Sequence, residues 1–216
     1  MMNPALTSPD NYFEDFTVGR LIRHARGKTV TEMDNVLITN MVMNTAEGHF
    51  NEDRMSRAAT SPNAIFNQRV VFGGINLSMV IGLASQDTAE QCIREVGLTN
   101  IKLSHPVFHG DTLYAYSEVL EATEDPANGG GLVRFRHYGV NQNRKLCVQA
   151  ERTVLLRKRP GTPTSPGWQT RRRSADSALA SRSGAAIAAA RWFQPARWRT
   201  APSRLRALAR QIPCPA

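Results

Sequence analysis

Arg69–Asp87 reads RVVFGGINLSMVIGLASQD. The β-branched pair Val70 and Val71 leads through Phe72 into Gly73 and Gly74. Beyond them Ile75, Leu77, Met79, Val80, Ile81, Leu83 and Ala84 are interrupted only by Asn76, Ser78 and Gly82. A half-exposed helix carries a polar face, and this stretch has almost none, so the pattern predicts a central helix over residues 74–86 buried on most of its circumference. Such a helix needs a wrapper, and a sheet supplies one. The glycine pair admits two readings. Unpaired N–H groups at a helix N-terminus receive an anion or a polarised oxygen, and glycines also serve close packing and turn geometry alone.

Upstream, NYFEDFTVG at residues 11–19 reads as an aromatic-anchored turn ahead of a strand over about residues 20–31. Thr31-Glu32-Met33-Asp34 then forms an N-cap with acidic residues in the first helical turn. Met33, Val36, Leu37, Asn40, Met41 and Asn44 fall at helical spacing, which predicts a helix to about Met43. The periodicity stops at NTAEGHFN, residues 44–51, a polar loop of the kind on which functional groups are mounted. Asn51 is placed to cap a short polar helix over Glu52–Ala58, and Thr60-Ser61-Pro62-Asn63 reads as loop.

Downstream of Thr88 the period changes to that of strands: residues 93–103, 112–121, 132–140 and 145–157. DPANGGG at residues 125–131 and Asn141-Gln142-Asn143 are turns between neighbouring strands. One strand, two helical pieces, a buried helix and a run of antiparallel strands describe an α+β fold in which a curled sheet wraps one helix.

Charge divides the 216 residues in two. Residues 1–157 hold 15 Lys and Arg against 17 Asp and Glu, whereas residues 158–216 hold 12 against 1. The basic balance is therefore a property of the tail, and it gives no reason to read residues 1–157 as a nucleic-acid binder. The tail, with Arg171-Arg172-Arg173, alanine runs and many prolines, is expected to be largely disordered, with a transient helix over residues 178–193. It reads either as a non-functional extension, such as a shifted reading frame, or as a basic arm for nucleic acid or an anionic membrane. Cys92, Cys147 and Cys214 have neither CxxC spacing nor an even count, so neither a disulfide framework nor a zinc site is expected. The absence of an 18-residue apolar run predicts a cytoplasmic protein without a membrane span.

His49, five positions after Asn44 on the polar loop, is the first candidate for proton chemistry. A second feature is Pro106-Val107-Phe108-His109-Gly110-Asp111-Thr112-Leu113, in which Gly110-Asp111 is expected to make the turn that starts a strand. PV-x-x-GDTL after a helix preceded by a His-bearing loop, with NYFEDFTVG near the start, resembles the MaoC-like hydratases of the hotdog superfamily over residues 11–157. MNTA-x-x-HF and PVF-x-GDTL are similar to single-domain hydratases of branched dicarboxyl CoA esters such as itaconyl-CoA or mesaconyl-CoA. No P-loop, GxGxxG, HExxH or GxSxG pattern competes with this resemblance.

The resemblance implies a hotdog fold, with the sheet as the bun and the helix over residues 74–86 as its filling, and a homodimer whose sheets join. It implies hydration of a 2-enoyl-CoA thioester, or dehydration of the 3-hydroxyacyl-CoA, with no metal and no cofactor beyond the CoA of the substrate. The family's hydratase motif places an Asp and a His five positions apart. Asn44 falls where that Asp would be, His49 matches the His, and Gly73 matches the glycine whose N–H binds the thioester oxygen. An amide orients water and cannot take its proton, so Asn44 would orient the water and His49 would act as acid and base, either alone or with assistance from Glu47 or Asp34. A second carboxylate on the substrate needs a cation, for which Arg69 and Arg54 are the candidates, with Gly74 beside Gly73 as a further substrate contact. Two other functions stay open: a hotdog acyl-CoA thioesterase, and a non-catalytic acyl-CoA-binding protein, the latter motivated by the missing Asp.

Overall fold

The computed structural model describes residues 10–58 and 66–161. Thr60-Ser61-Pro62-Asn63 and all but the first four residues of the basic tail lie outside them. The chain order is β1 (Leu21–Thr29), α1 (Glu32–Met41), α2 (Glu52–Ala58), α3 (Gly73–Ala89), β2 (Cys92–Leu103), β3 (Thr112–Asp125), β4 (Gly130–Asn141) and β5 (Leu146–Arg157). The strands form one antiparallel sheet in the order β1-β3-β4-β5-β2, curled around α3. This is the expected α+β arrangement of one sheet around one helix.

Several boundaries follow from short-range chemistry. Thr31 Oγ1 accepts from Asp34 N at 3.2 Å while the Asp34 carboxylate accepts from Thr31 N at 2.8 Å, a reciprocal cap that starts α1. The Asn51 side-chain oxygen accepts from Arg54 N at 3.0 Å and starts α2. At the GDTL motif, Gly110 sits at φ 91°, where a side chain is strained. The Asp111 carboxylate accepts from Phe108 N at 2.9 Å and closes the turn into β3. Gly110-Asp111 is thus the turn that the sequence predicts.

Helix α3 buries Ile75, Val80 and Ala84 against the sheet together with Val71, Leu113, Ala115 and Val148. Each fully buried aliphatic side chain of this size contributes about 1.5–3 kcal/mol of transfer free energy. The approach is closest at Gly139 of β4, where a Cβ would lie 2.3 Å from Val80 Cγ2. Cys147 is buried in this core, as expected of a small apolar residue. The burial is less complete than the composition of α3 predicts: Ser78 and Gly82 are exposed, because within one chain the sheet covers only one side of the helix.

The last turn of α3 is pinned by a buried polar chain. His24 Nδ1 lies 2.6 Å from the Asp87 carboxylate, His24 Nε2 lies 2.7 Å from Ser117 Oγ, and Ser117 Oγ lies 2.7 Å from His137 Nδ1. These groups come from β1, α3, β3 and β4, and burial holds the His137 imidazole well below the usual histidine range. At the far edge of the sheet β2 pairs only with β5 and exposes Ile93, Val96, Leu98, Ile101 and Leu103. No helix among the described residues is long and apolar enough to cross a membrane.

Candidate active site

The loop that leaves α1 returns to the start of α3. After Met41 the backbone takes a left-handed residue at Met43, and a 3-10 turn over Glu47–His49 carries the histidine inward. Val70 N donates to the Gly48 carbonyl at 2.9 Å, and His49 Nδ1 lies 2.9 Å from the Val70 carbonyl. A carbonyl only accepts, so Nδ1 carries the hydrogen, and in the neutral ring the lone pair lies on Nε2. The ring also packs on Phe72, with centroids 5.5 Å apart.

A second tie runs through Asn35 of α1, which is fully buried. Its Nδ2 donates to the His49 carbonyl at 2.6 Å, and its Oδ1 accepts from Phe72 N at 3.1 Å. One carboxamide thereby holds the histidine loop against the first residue of the α3 entry. The sequence does not mark Asn35: the buried residues of α1 are the polar Asn35 and Thr39, while the apolar Met33, Leu37 and Met41 that set its periodicity are exposed.

Phe72 occupies the N-cap of α3 and supplies no side-chain cap. Ile75 N turns back to the Phe72 carbonyl at 2.9 Å. The Gly73 and Gly74 N–H groups have no partner among the described residues, as the first turn of an uncapped helix leaves them. As the side chains stand, a Cβ on Gly73 would lie 2.3 Å from Leu103 Cδ1 and one on Gly74 would lie 2.5 Å from the Phe72 ring, so a larger residue at either position displaces a side chain that lines the cavity.

These elements enclose a cavity of about 300 Å³. Its walls are mainly apolar, including Val71, Phe72, Leu103 and Val107, and its polar side chains are His49, Asn76 and His105. Burial and the nearby Lys145 lower the His105 pKa below the usual histidine value. The arrangement sets the His49 Nε2 and two unpartnered helix N–H groups around one mainly apolar space that opens to solvent on one side. That combination serves proton transfer next to an oxygen that gains negative charge.

Of the residues singled out from sequence, the structure brings His49, Gly73 and Gly74 to this cavity. Asn44, Arg54 and Arg69 are not among its lining residues. The Asn44 side-chain oxygen accepts from Ala46 N at 3.0 Å, a local turn ahead of the 3-10 turn. Arg54 pairs with Glu47, and Arg69 is held between Glu32 at 2.6 Å and Glu52 at 2.8 Å. Those carboxylates hold the Arg69 guanidinium above its usual pKa. Glu47 is engaged with Arg54, and Asp34 caps α1 beside Lys28 and lines a separate cleft of about 450 Å³ between β1, α1 and α3. Asn76 and His105 also line the cavity; in sequence Asn76 looks like one of two polar interruptions of the apolar run over residues 75–84, and His105 like the lead-in to a turn. Among the described residues no group of three or more His, Cys, Asp and Glu side chains is arranged to hold a metal ion.

Comparison with known proteins bears on the family and the fold. The family model for mesaconyl-CoA hydratase matches residues 5–158. The chain is 29% identical over 172 residues to a β-methylmalyl-CoA dehydratase of Chloroflexus aurantiacus, a match covering 77% of this chain and 45% of that protein. In structure it is similar to a C. aurantiacus protein described as a MaoC domain dehydratase, with a TM-score of 0.65 and 26% identity over 75% of this chain and 45% of the other. It is also similar to a Mycobacterium tuberculosis protein with a double hotdog fold, with a TM-score of 0.63 and 19% identity over 73% of this chain and 47% of the other. The fold is accordingly the hotdog fold. The chain spans less than half the length of the curated relatives it matches, mesaconyl-CoA hydratases among them.

Proposed function

Since the chain belongs to the mesaconyl-CoA hydratase family, we propose that the cavity at the start of α3 adds water to a 2-enoyl-CoA thioester, or removes it from the 3-hydroxyacyl-CoA, with a branched dicarboxyl ester such as mesaconyl-CoA or itaconyl-CoA as the substrate class. The observation that carries this reading is the pairing of His49 Nε2, left free by the Nδ1 bond to Val70, with the unpartnered Gly73 N–H on the same cavity.

His49 Nε2 takes a proton from water as the oxygen bonds to C3, and the electron pair of the C2–C3 double bond moves toward the thioester carbonyl. The Gly73 N–H, reinforced by the α3 dipole, stabilises the oxygen that becomes negative, a donor of the kind worth about 10²–10³ in rate. The imidazolium formed on His49 then returns its proton to C2, so one water is added and the imidazole is restored. The apolar walls lower the local polarity around the bound thioester, which strengthens both interactions.

A homodimer joined edge to edge is part of the proposal, supported by the unpaired β2 edge and its exposed Ile93, Val96, Leu98, Ile101 and Leu103. An acyl-CoA panel including mesaconyl-CoA and itaconyl-CoA tests the activity, with loss of enoyl-thioester absorbance as the readout and a thiol reagent present to score free CoA. Absorbance should fall without thiol release, and His49→Ala should abolish the change while leaving circular dichroism and size unaltered. Thiol release in step with turnover would assign hydrolysis instead, and near-full hydration by His49→Ala would remove His49 from the chemistry.

A further inference from the structure

Asn76 lies on the second turn of α3 and is 4% exposed, and its side-chain oxygen has no hydrogen-bond partner among the described residues. A buried polar atom left in that state costs about 1–3 kcal/mol, so it needs an explanation in the molecule. The residue lines the same cavity as His49 and Gly73. It follows Gly73 by three positions, which puts the two on one face of the helix with about 4.5 Å of rise between them.

Water poised for addition has two hydrogens to place. His49 Nε2 accepts one, because the Val70 carbonyl engages Nδ1–H. The other needs a second acceptor on the cavity wall. Asn44, the residue that its position in the chain offers for this purpose, has its side-chain oxygen bonded to Ala46 N and lies outside the lining. Among the polar side chains of the wall, Asn76 carries an amide oxygen with nothing bonded to it; its neighbours cover that oxygen, and a turn of the carboxamide about Cβ–Cγ sets it toward the cavity.

From this we infer that Asn76 is the water-orienting residue of the site: its Oδ1 accepts one O–H of the water whose other O–H faces His49 Nε2. The inference rests on the hydration reading above. An amide oxygen is too weak a base to remove the proton, so the proton passes to His49 Nε2, the water oxygen bonds to C3, and the proton returns from His49 to C2. Asn76 ends the cycle as it began, and the new hydroxyl of the 3-hydroxyacyl product takes the place of the water as its donor. The same contact serves the reverse reaction, where Asn76 holds the departing hydroxyl toward the protonated His49.

The test uses the full chain with Asn76→Leu and Asn76→Asp. Leucine has similar volume and no acceptor. Asn76→Leu should lower kcat about 10- to 100-fold, the scale of a misplaced reactant, and leave KM for the enoyl-CoA within about threefold. It should melt no lower than the parent, since the removed carboxamide leaves no partner behind. Asn76→Asp keeps an acceptor and should retain activity within about tenfold of the parent, with a new acid limb in its pH–rate profile. A crystal structure of the parent should show an ordered water within hydrogen-bond distance of both His49 Nε2 and Asn76 Oδ1. Parental kcat in Asn76→Leu would overturn the inference, and so would a melting temperature that falls in step with activity. If Asn76→Leu does not fold, absence of the bridging water overturns it. A parent that hydrates no acyl-CoA removes the hydration reading and this inference with it, whereas an active parent with an equally active leucine variant removes the inference alone.

Discussion

The brace built on Asn35 sets how far apart the two halves of the site lie, and replacing it with leucine should expose that dependence. The substitution keeps the volume and deletes two contacts, the 2.6 Å donation to the His49 carbonyl and the 3.1 Å acceptance from Phe72 N. Each backbone group then loses its partner, at about 1–3 kcal/mol apiece when buried. Phe72 N sits beside a fully buried residue and pays most of that cost, while the half-buried His49 loop admits water to its carbonyl. A loss of about 3 kcal/mol follows, which at about 2–4 °C per kcal/mol for a domain of this size lowers the melting temperature by about 6–12 °C. The second consequence is kinetic. With the tether gone, the His49 ring keeps only its bond to Val70 and its packing on Phe72, and a shift of about 1 Å costs as much as 10²-fold in rate. Thermal unfolding by circular dichroism gives the first quantity. Hydration assayed well below the midpoint, where the variant is folded, gives the second. Asn35→Asp separates the two bonds, because a carboxylate still accepts from Phe72 N but cannot donate to His49. A leucine variant that melts within about 2 °C of the parent and turns over at the parental rate would refute the reasoning.

Two further outcomes test the frame around the site. Gly139→Ala places a methyl 2.3 Å from Val80 Cγ2 and 3.3 Å from Val148 Cβ, and overpacking of this kind costs about 1–3 kcal/mol. Its urea midpoint should fall, and Val80→Ala in the same chain should recover part of the loss; strictly additive midpoints would show that the two do not touch. Asp34 is held down to about 2 by hydrogen bonds from Lys28 and the Thr31 backbone, against an ordinary value of 3.8. Because the folded value is the lower one, its contribution is complete above about 3.8 and is lost as the pH falls through about 2. Asp34→Asn should therefore be less stable than the parent at pH 7, with the difference closing below pH 3; a difference that persists unchanged at pH 2 would contradict that assignment.

Residues whose partners lie within a turn or two were legible. Thr31 with Asp34, Asn51 with Arg54 and Gly110 with Asp111 each close a bond over three positions or fewer, or fix a single backbone angle, so residue type and spacing decide them. The central helix was legible from the volume of apolar side chain it must bury. Its ends were off by one to three residues, because α3 begins on the N–H groups of Gly73 and runs on to Ala89 past the apolar run. Partners far apart in sequence were not legible. Asn35 meets residues 14 and 37 positions away, and the His24–Ser117–His137 chain joins three strands through hydrogen bonds that leave no periodic trace. Arg69 looks in sequence like an available cation, since a sequence does not show that Glu32 and Glu52 converge on it.

The two asparagines carry the point furthest. Asn44 and Asn76 offer identical chemistry, and position relative to His49 favours Asn44 as the amide that meets water. Yet a carboxamide in a loop competes for its own backbone: the Asn44 oxygen finds Ala46 N two residues on and is used there. Within a helix that option closes, because backbone N–H groups beyond the first turn are already bonded to carbonyls four residues back. Asn76 therefore keeps its oxygen unpartnered, and the packing of α3 against the sheet covers it beside a cavity from which water or substrate supplies the missing donor once the carboxamide turns. The polar interruption in an apolar helix, which costs stability as a core residue, is the form in which a site residue on such a helix must appear.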